Sequence, residues 1–339
     1  MSETLLSVRD LEVGYKVGDR VIHAVDGASF DVPRGTIVGL VGESGCGKTT
    51  VARALTRVIA DNAKITGGEI VFDGRNIAAL PEREMNRLRW RDIAFIPQSA
   101  MNSLDPVYTI EYQLNEVLKN RGGMDARRAR ARAEELFDMV GIEPGRLRDF
   151  PHQFSGGMRQ RVAIALALAL DPKLIIADEP VTALDVIVQR QILDQLRELQ
   201  SRLGISVILV THDISVVAYV CDRVVVMYAG RVVEAGPMAA TITAPAHPYT
   251  IGLRNAFPDL KGAATGMLVP IEGAPPSLVE PPPGCRFAPR CPFALDICRT
   301  EVPQTGARSN GHSAACHRAH EAEMLRTEGS KTETWLNAS

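Results

Sequence analysis

The nine residues GESGCGKTT, Gly42–Thr50, restrict the architecture of this chain more than any other stretch. They satisfy the pattern G-x-x-x-x-G-K-[ST], with Gly42, Gly47, Lys48 and Thr49 at the defining positions. An apolar run, TIVGLVG, precedes them, and a helical pattern from Lys48 to about Ile59 follows. A strand that turns through glycines into a helix turns a set of backbone N–H groups toward one point, where an anion is stabilised. The loop, with Gly42, Ser44, Gly45, Cys46, Gly47 and Thr50, is therefore expected to close around phosphate oxygens. Lys48 would reach the outer phosphates and Thr49 would hold Mg²⁺. Cys46 lies at the helix N-terminus, a setting that lowers a thiol's pKa; a buried, inert thiol is the competing expectation.

A phosphate loop needs a sheet to stand on, and the rest of the chain supplies one. Residues 5–41 alternate in a strand-like way, and GGEIVFDG and DIAFIPQ read as further strands. From about 101 to 170 the pattern turns helical. In DARRARARAEELFDMV, Ala129, Ala133, Leu136, Phe137 and Val140 share one face. The four arginines of that stretch read as a solvated face. A net charge of −2 gives no global case for nucleic acid binding. Strands resume at KLIIAD, ISVILVTHD and RVVVMYAG. Apolar runs separated by helices predict an α/β fold with a parallel sheet covered on both faces.

KLIIADEP supplies an acidic partner for the loop. Asp178 ends a buried strand, where α/β sheets bind ligands. It would hold Mg²⁺ through water, and the adjacent Glu179 would polarise an attacking water. A second phosphate-type opening then appears in HQFSGGMRQR, where Ser155, Gly156 and Gly157 begin a basic helix. A serine N-cap followed by a loose glycine turn is the structural reading. Two glycines cost helix stability, which favours a binding role.

Phosphate loop, SGG opening and DEP, in this order and spacing, resemble the ATP-binding subunits of ABC transporters. The resemblance covers about residues 4–260. It implies an ABC ATPase core with a parallel sheet, an N-terminal antiparallel β subdomain and a helical signature subdomain at about 99–170. It implies that Tyr15 stacks on adenine, and that Gln98 in FIPQS is the Q-loop glutamine, meeting Mg²⁺ and the attacking water. TALD, Thr182–Asp185, is similar to the D-loop, and His212 in VTHD to the switch histidine that meets the γ-phosphate. It also implies that two such subunits pair head to tail, so that Ser155, Gly156 and Gly157 bind the partner's ATP. The signature departs from L-S-G-G-Q, with Phe154 and Met158 in place of Leu and Gln.

PHQFSGGMRQRVAIA, HPYT (His247–Thr250) and PPPGCRFAPRCPFALDIC are similar to the dipeptide and oligopeptide importer branch. That resemblance implies a second, often non-identical ATPase, two membrane permeases and an external binding protein. Nickel and oligosaccharide importers are similar too and stay open as alternatives. So does a non-transport ABC ATPase, although only about 56 residues separate Gln98 from Ser155, too few for the long coiled coils of repair members.

Composition marks further segments. A Pro-rich connector covers 261–284, a Cys-rich tail 285–320, and the polar residues 321–339 are expected to be disordered. Cys285, Cys291, Cys298 and Cys316 are separated by five, six and seventeen residues. Structural zinc sites use closer pairs, whereas a 4Fe-4S cluster takes four thiolates from looser spacing. The importer resemblance also implies such a cluster. Zinc, with His312, His317 and His320 as possible ligands, and no metal at all remain open. The longest apolar stretch, Val162–Leu170, is short of the roughly twenty residues of a membrane helix. No leader-like run opens the sequence. A place at the cytoplasmic face of the inner membrane, bound through other subunits, is the expectation.

Overall fold

The computed structural model describes residues 3–98, 100–182, 184–256, 270–308 and 311–336. Its contacts divide the chain into two compact units that interleave in sequence. One comprises Met1–Leu5, Val32–Ile37 and Ala79–Val210; the other comprises Leu6–Asp31, Val38–Ala78 and Thr211–Ser339. Composition suggested boundaries near 260 and 284, but contacts do not divide the chain there. The Cys-rich tail belongs to the same unit as the phosphate loop.

The first unit is built on parallel strands. Ile93–Ile96 pairs with Leu174–Asp178, and Leu174–Asp178 pairs with Ser206–Thr211 in a register from Leu174↔Ser206 to Asp178↔Val210. Every residue of Leu174–Asp178 and Ser206–Thr211 is buried, as continuous apolar runs require of strands covered on both faces. The 101–170 stretch forms helices Ile110–Glu116, Ala126–Met139 and Gly156–Ala167 with shorter turns between them. Asp125 caps Ala126–Met139 by accepting from the Arg128 N–H, and Ala129, Ala133, Leu136 and Phe137 are buried. Two of its four arginines are closely matched. Arg130 pairs with Glu111 at 2.6 Å and Glu134 at 2.7 Å, and Arg132 with Glu135 at 2.7 Å and with Asp171.

The second unit holds an antiparallel sheet in the order Arg20–Pro33, Thr4–Val17, Ala63–Phe72, Arg75–Asn76. Beside it, Ile37–Val41 runs parallel to Arg223–Tyr228, which pairs antiparallel with Arg231–Pro237. Two short tail strands continue outward: Ser313–Ala314 on Arg231–Pro237, then Gly306–Ala307. The tail is thus hydrogen-bonded into the unit that carries Gly42–Thr50.

The expected disorder of 321–339 is corrected over its described part. Ala322–Gly329 and Thr332–Leu336 are helical, and Trp335 is 1% exposed with its indole N–H on the Gly329 carbonyl at 2.8 Å. The polar composition conceals a small apolar face, Leu325 and Trp335, that is enough to dock the segment. Of the connector, 261–269 lie outside the described residues.

Candidate functional site

In the second unit, the fully buried strand Ile37–Val41 ends at the phosphate loop, and helix Lys48–Thr56 leaves it. Gly47 has φ +100°, and a Cβ there would come within 2.3 Å of the Ala24 carbonyl oxygen, so only glycine fits. Lys48 is 5% exposed. Its ammonium donates to the carbonyls of Gly42 at 2.7 Å and Glu43 at 2.9 Å, with Cys46 Sγ at 3.7 Å. The charge is thereby held at the loop without a carboxylate to neutralise it among those contacts.

Cys46 is 2% exposed, and burial pushes its thiol up, outweighing the opposing pull of Lys48. The lowered pKa expected from the helix N-terminus is therefore corrected: desolvation of the thiolate exceeds what the helix and the ammonium return. Tyr15 is partly buried, with its hydroxyl 3.3 Å from Thr50 Oγ1. His212 is exposed just after the strand Ser206–Thr211, in the turn before helix Ile214–Val220, which Asp213 caps.

Two residues not singled out from the sequence reach the same loop. The Glu43 N–H donates to Tyr249 Oη at 2.9 Å, and the Glu43 carboxylate takes Arg290 in a bidentate pair at 2.8 and 3.1 Å. HPYT and the RFAPR segment between the first two tail cysteines carried the signal, but only as parts of longer resemblances.

In the first unit, Asp178 ends strand Leu174–Asp178 and Glu179 follows it. Asp178 is 1% exposed. Glu179 has φ +47°, costly for a residue other than glycine. Its N–H is tied to the Val210 carbonyl at 2.8 Å, which holds the turn. Gln98 Nε2 donates to Glu179 Oε2 at 2.8 Å, and the Thr182 hydroxyl donates to the same oxygen at 3.1 Å. The structure therefore brings Gln98 and Glu179 together and aims the carboxylate through two neutral donors. Ser155 N-caps helix Gly156–Ala167, accepting from the Met158 N–H at 3.3 Å. A Cβ on Gly157 would meet Val188 Cγ1 at 2.6 Å. The two departures at the signature share one support. Arg146 lies 4.4 Å over the Phe154 ring and donates to Met158 Sδ at 3.4 Å.

All four tail cysteines are unpaired and line one cavity, with His247, Phe287, Phe293 and His317 among its walls. Burial pushes the Cys285, Cys291 and Cys316 thiols up, Cys316 to about 11. Among the described residues, no three His, Cys, Asp or Glu side chains converge as they would on a single metal ion.

An α/β frame, a glycine loop with a buried lysine, and acidic residues ending a parallel strand define a P-loop ATPase. A family model described as ABC transporter matches residues 25–182, and one described as oligopeptide/dipeptide transporter, C-terminal region, matches 233–298. The chain is 44% identical over 319 residues to the dipeptide transport ATP-binding protein DppD of Bacillus subtilis, covering 93% of this chain and 94% of that one. It is 45% identical over 326 residues to the oligopeptide transport ATP-binding protein OppD of Salmonella typhimurium, covering 96% of each. A solved ATP-binding cassette, dimeric in a post-hydrolysis state with ADP and Pi, matches with a TM-score of 0.62 and 31% identity, over 69% of this chain and 98% of that one. The chain belongs to the ATP-binding proteins of the ABC transporter family, and its chemistry is ATP hydrolysis coupled to transport. Among the described residues no helix is long and apolar enough to cross a membrane.

Proposed function

We propose that this chain powers an importer for di- or oligopeptides. It works head to tail with a second ATPase subunit on the cytoplasmic face, beneath two membrane permeases fed by an external binding protein. The observation that carries this reading is the match of residues 233–298 to the oligopeptide/dipeptide transporter C-terminal region, joined to 44% and 45% identity with dipeptide and oligopeptide transport proteins over nearly the whole chain.

In this reading Lys48 and the amides of Gly42–Thr50 bind the phosphates, and Tyr15 stacks on the base. A glycine loop closed tightly against the Ala24 backbone, with the Lys48 ammonium held by the carbonyls of Gly42 and Glu43, fits a polyphosphate. Thr49, Gln98 and Asp178 would hold Mg²⁺, which supplies charge neutralisation on the phosphate oxygens. Glu179, aimed by Gln98 and Thr182, accepts the proton of the attacking water. His212 donates toward the γ-phosphate. Ser155, Gly156 and Gly157 close the partner's nucleotide with the helix N-terminus.

The tail thiols fit a 4Fe-4S cluster better than one zinc ion. Four thiols share a cavity, and among the described residues no three His, Cys, Asp or Glu side chains converge as they would on a single ion. When bound, the cluster would supply a structural staple for a segment too short to build a core of its own.

The test is reconstitution of the assembled complex in liposomes with a panel of di- and oligopeptides. Peptide accumulation that needs ATP and the binding protein is expected. ATP-dependent accumulation of nickel or an oligosaccharide, with none of any peptide, overturns the substrate class.

A further inference from the structure

Glu43, the residue after Gly42 in the phosphate loop, is held at both ends by side chains from the C-terminal part of the chain. Arg290 grips its carboxylate in a bidentate pair at 2.8 and 3.1 Å. Arg290 is 8% exposed, and its remaining donors are spent on Tyr228 Oη at 3.1 Å and on the carbonyls of Ile271 and Glu272 at 3.1 and 2.9 Å. A guanidinium so fully engaged has one position. Tyr249 Oη accepts the Glu43 N–H at 2.9 Å. Tyr249 is fully buried, and its ring lies against Tyr228 and Phe287 with centroids 4.6 and 5.4 Å apart.

Both side chains are anchored in turn. Arg290 ends the turn Ala288–Arg290, which the backbone ties to Cys285 through the Ala288 N–H at 3.0 Å, and it directly precedes Cys291. Cys285 is itself bound to the Cys298 carbonyl at 2.8 Å. Tyr249 is the second residue of helix Pro248–Asn255, capped by His247, whose Nδ1 accepts the Tyr249 N–H at 3.0 Å. The His247 N–H is held by the buried Glu234 carboxylate at 2.9 Å, which also pairs with His312 of the tail at 2.6 Å.

The consequence for the loop runs through the peptide unit after Glu43. Its carbonyl accepts from the Lys48 ammonium at 2.9 Å and from the Cys46 N–H at 3.3 Å. Fixing Glu43 at its N–H and at its carboxylate therefore fixes the acceptor that sets where Lys48 stands. We propose that Arg290 and Tyr249 are positioning residues for nucleotide binding. Acting through Glu43, they hold the phosphate loop and Lys48 in the accepting geometry, and the order of the cysteine segment that carries Arg290 thereby sets the affinity for ATP. The proposal rests on the ATP-binding reading and is independent of what is transported.

The test uses the full chain, with Mg-ATP binding measured by calorimetry and the melting temperature measured without nucleotide. Tyr249→Phe removes one buried acceptor at constant shape, and Arg290→Ala removes the bidentate pair. Each should weaken Mg-ATP binding about tenfold, the worth of one charge-assisted or buried hydrogen bond. Arg290→Lys, keeping the charge and one bond, should fall between. If Arg290 acts through Glu43, then Arg290→Ala combined with Glu43→Gln binds no more weakly than Arg290→Ala alone. Cys291→Ser should weaken binding in the same direction. Wild-type affinity in Tyr249→Phe and Arg290→Ala, with only a lowered melting temperature, would reduce the contacts to a staple and overturn the proposal. Additive losses in the double variant would overturn the route through Glu43, and unchanged binding in Cys291→Ser would overturn the link to the cysteine segment. Should Arg290→Ala fail to fold, Tyr249→Phe decides alone.

Discussion

At the scale of single residues, Glu179 combines a strained backbone with a carboxylate aimed by two neutral donors. Such strain persists where the surroundings over-determine it, and the Val210 carbonyl and Gln98 do so here. Glu179→Gln keeps the shape but loses the basic oxygen. ATP binding should persist while turnover in the assembled complex falls by about a hundredfold or more, the scale of a lost general base. Single-turnover hydrolysis together with Mg-ATP binding checks this, and wild-type turnover would remove Glu179 from the role. Cys46 shows why residue-level reading from sequence has a boundary. Its place at a helix N-terminus is visible in GESGCGKTT, but the burial that reverses its expected pKa shift is set by the surrounding fold.

At the scale of elements, what was legible is what is local. The apolar run KLIIAD and the serine before Gly156 each declare themselves within a few residues. Contacts between elements do not. Phe154 and Met158 look like departures from a signature until Arg146 is seen under both. Gly157 is similar: the sequence offers a loose turn, while the fold places Val188 against it. Alanine in a helix normally gains about 0.5–1 kcal/mol over glycine. At Gly157 the added methyl would overlap Val188 Cγ1, and overpacking costs roughly 1–3 kcal/mol. Gly157→Ala should therefore destabilise the protein, and Val188→Ala in the same chain should recover much of the loss by removing the obstructing methyls. Urea unfolding of both singles and the double measures this coupling. A stabilised Gly157→Ala would mean that the two helices stand further apart.

At the scale of the whole chain, the tail is the part the sequence described least well. Its composition suggested an appendage on a stiff connector, yet it joins the phosphate-loop unit through partners far away in sequence. Arg290 meets Glu43 across 247 residues, and Arg286 meets Asp26 across 260. No local pattern records pairings of that span. The same docking explains why the polar segment after residue 321 folds: Trp335 finds a surface, not a core of its own. Cys291 and Cys298 lie between anchors in the chain, with Arg286 and Arg290 before them and His312, paired with Glu234, after them, while Cys285 precedes the first anchor and Cys316 follows the last. Ligation of all four thiols would join Cys285, Cys291 and Cys298 to Cys316 beyond the short strands, closing the segment into one body. If the four thiols hold the proposed cluster, anaerobically purified protein is brown and holds about four irons per chain, the content of one cubane. Cys291→Ser should lose the colour, and proteolysis should then cut within 285–318 before it cuts the phosphate-loop region. Iron analysis, visible absorbance and mapped cleavage sites read this directly. Stoichiometric zinc without colour, or metal-free protein whose tail resists protease as well as before, would show that packing and the two arginines hold the segment without a cluster.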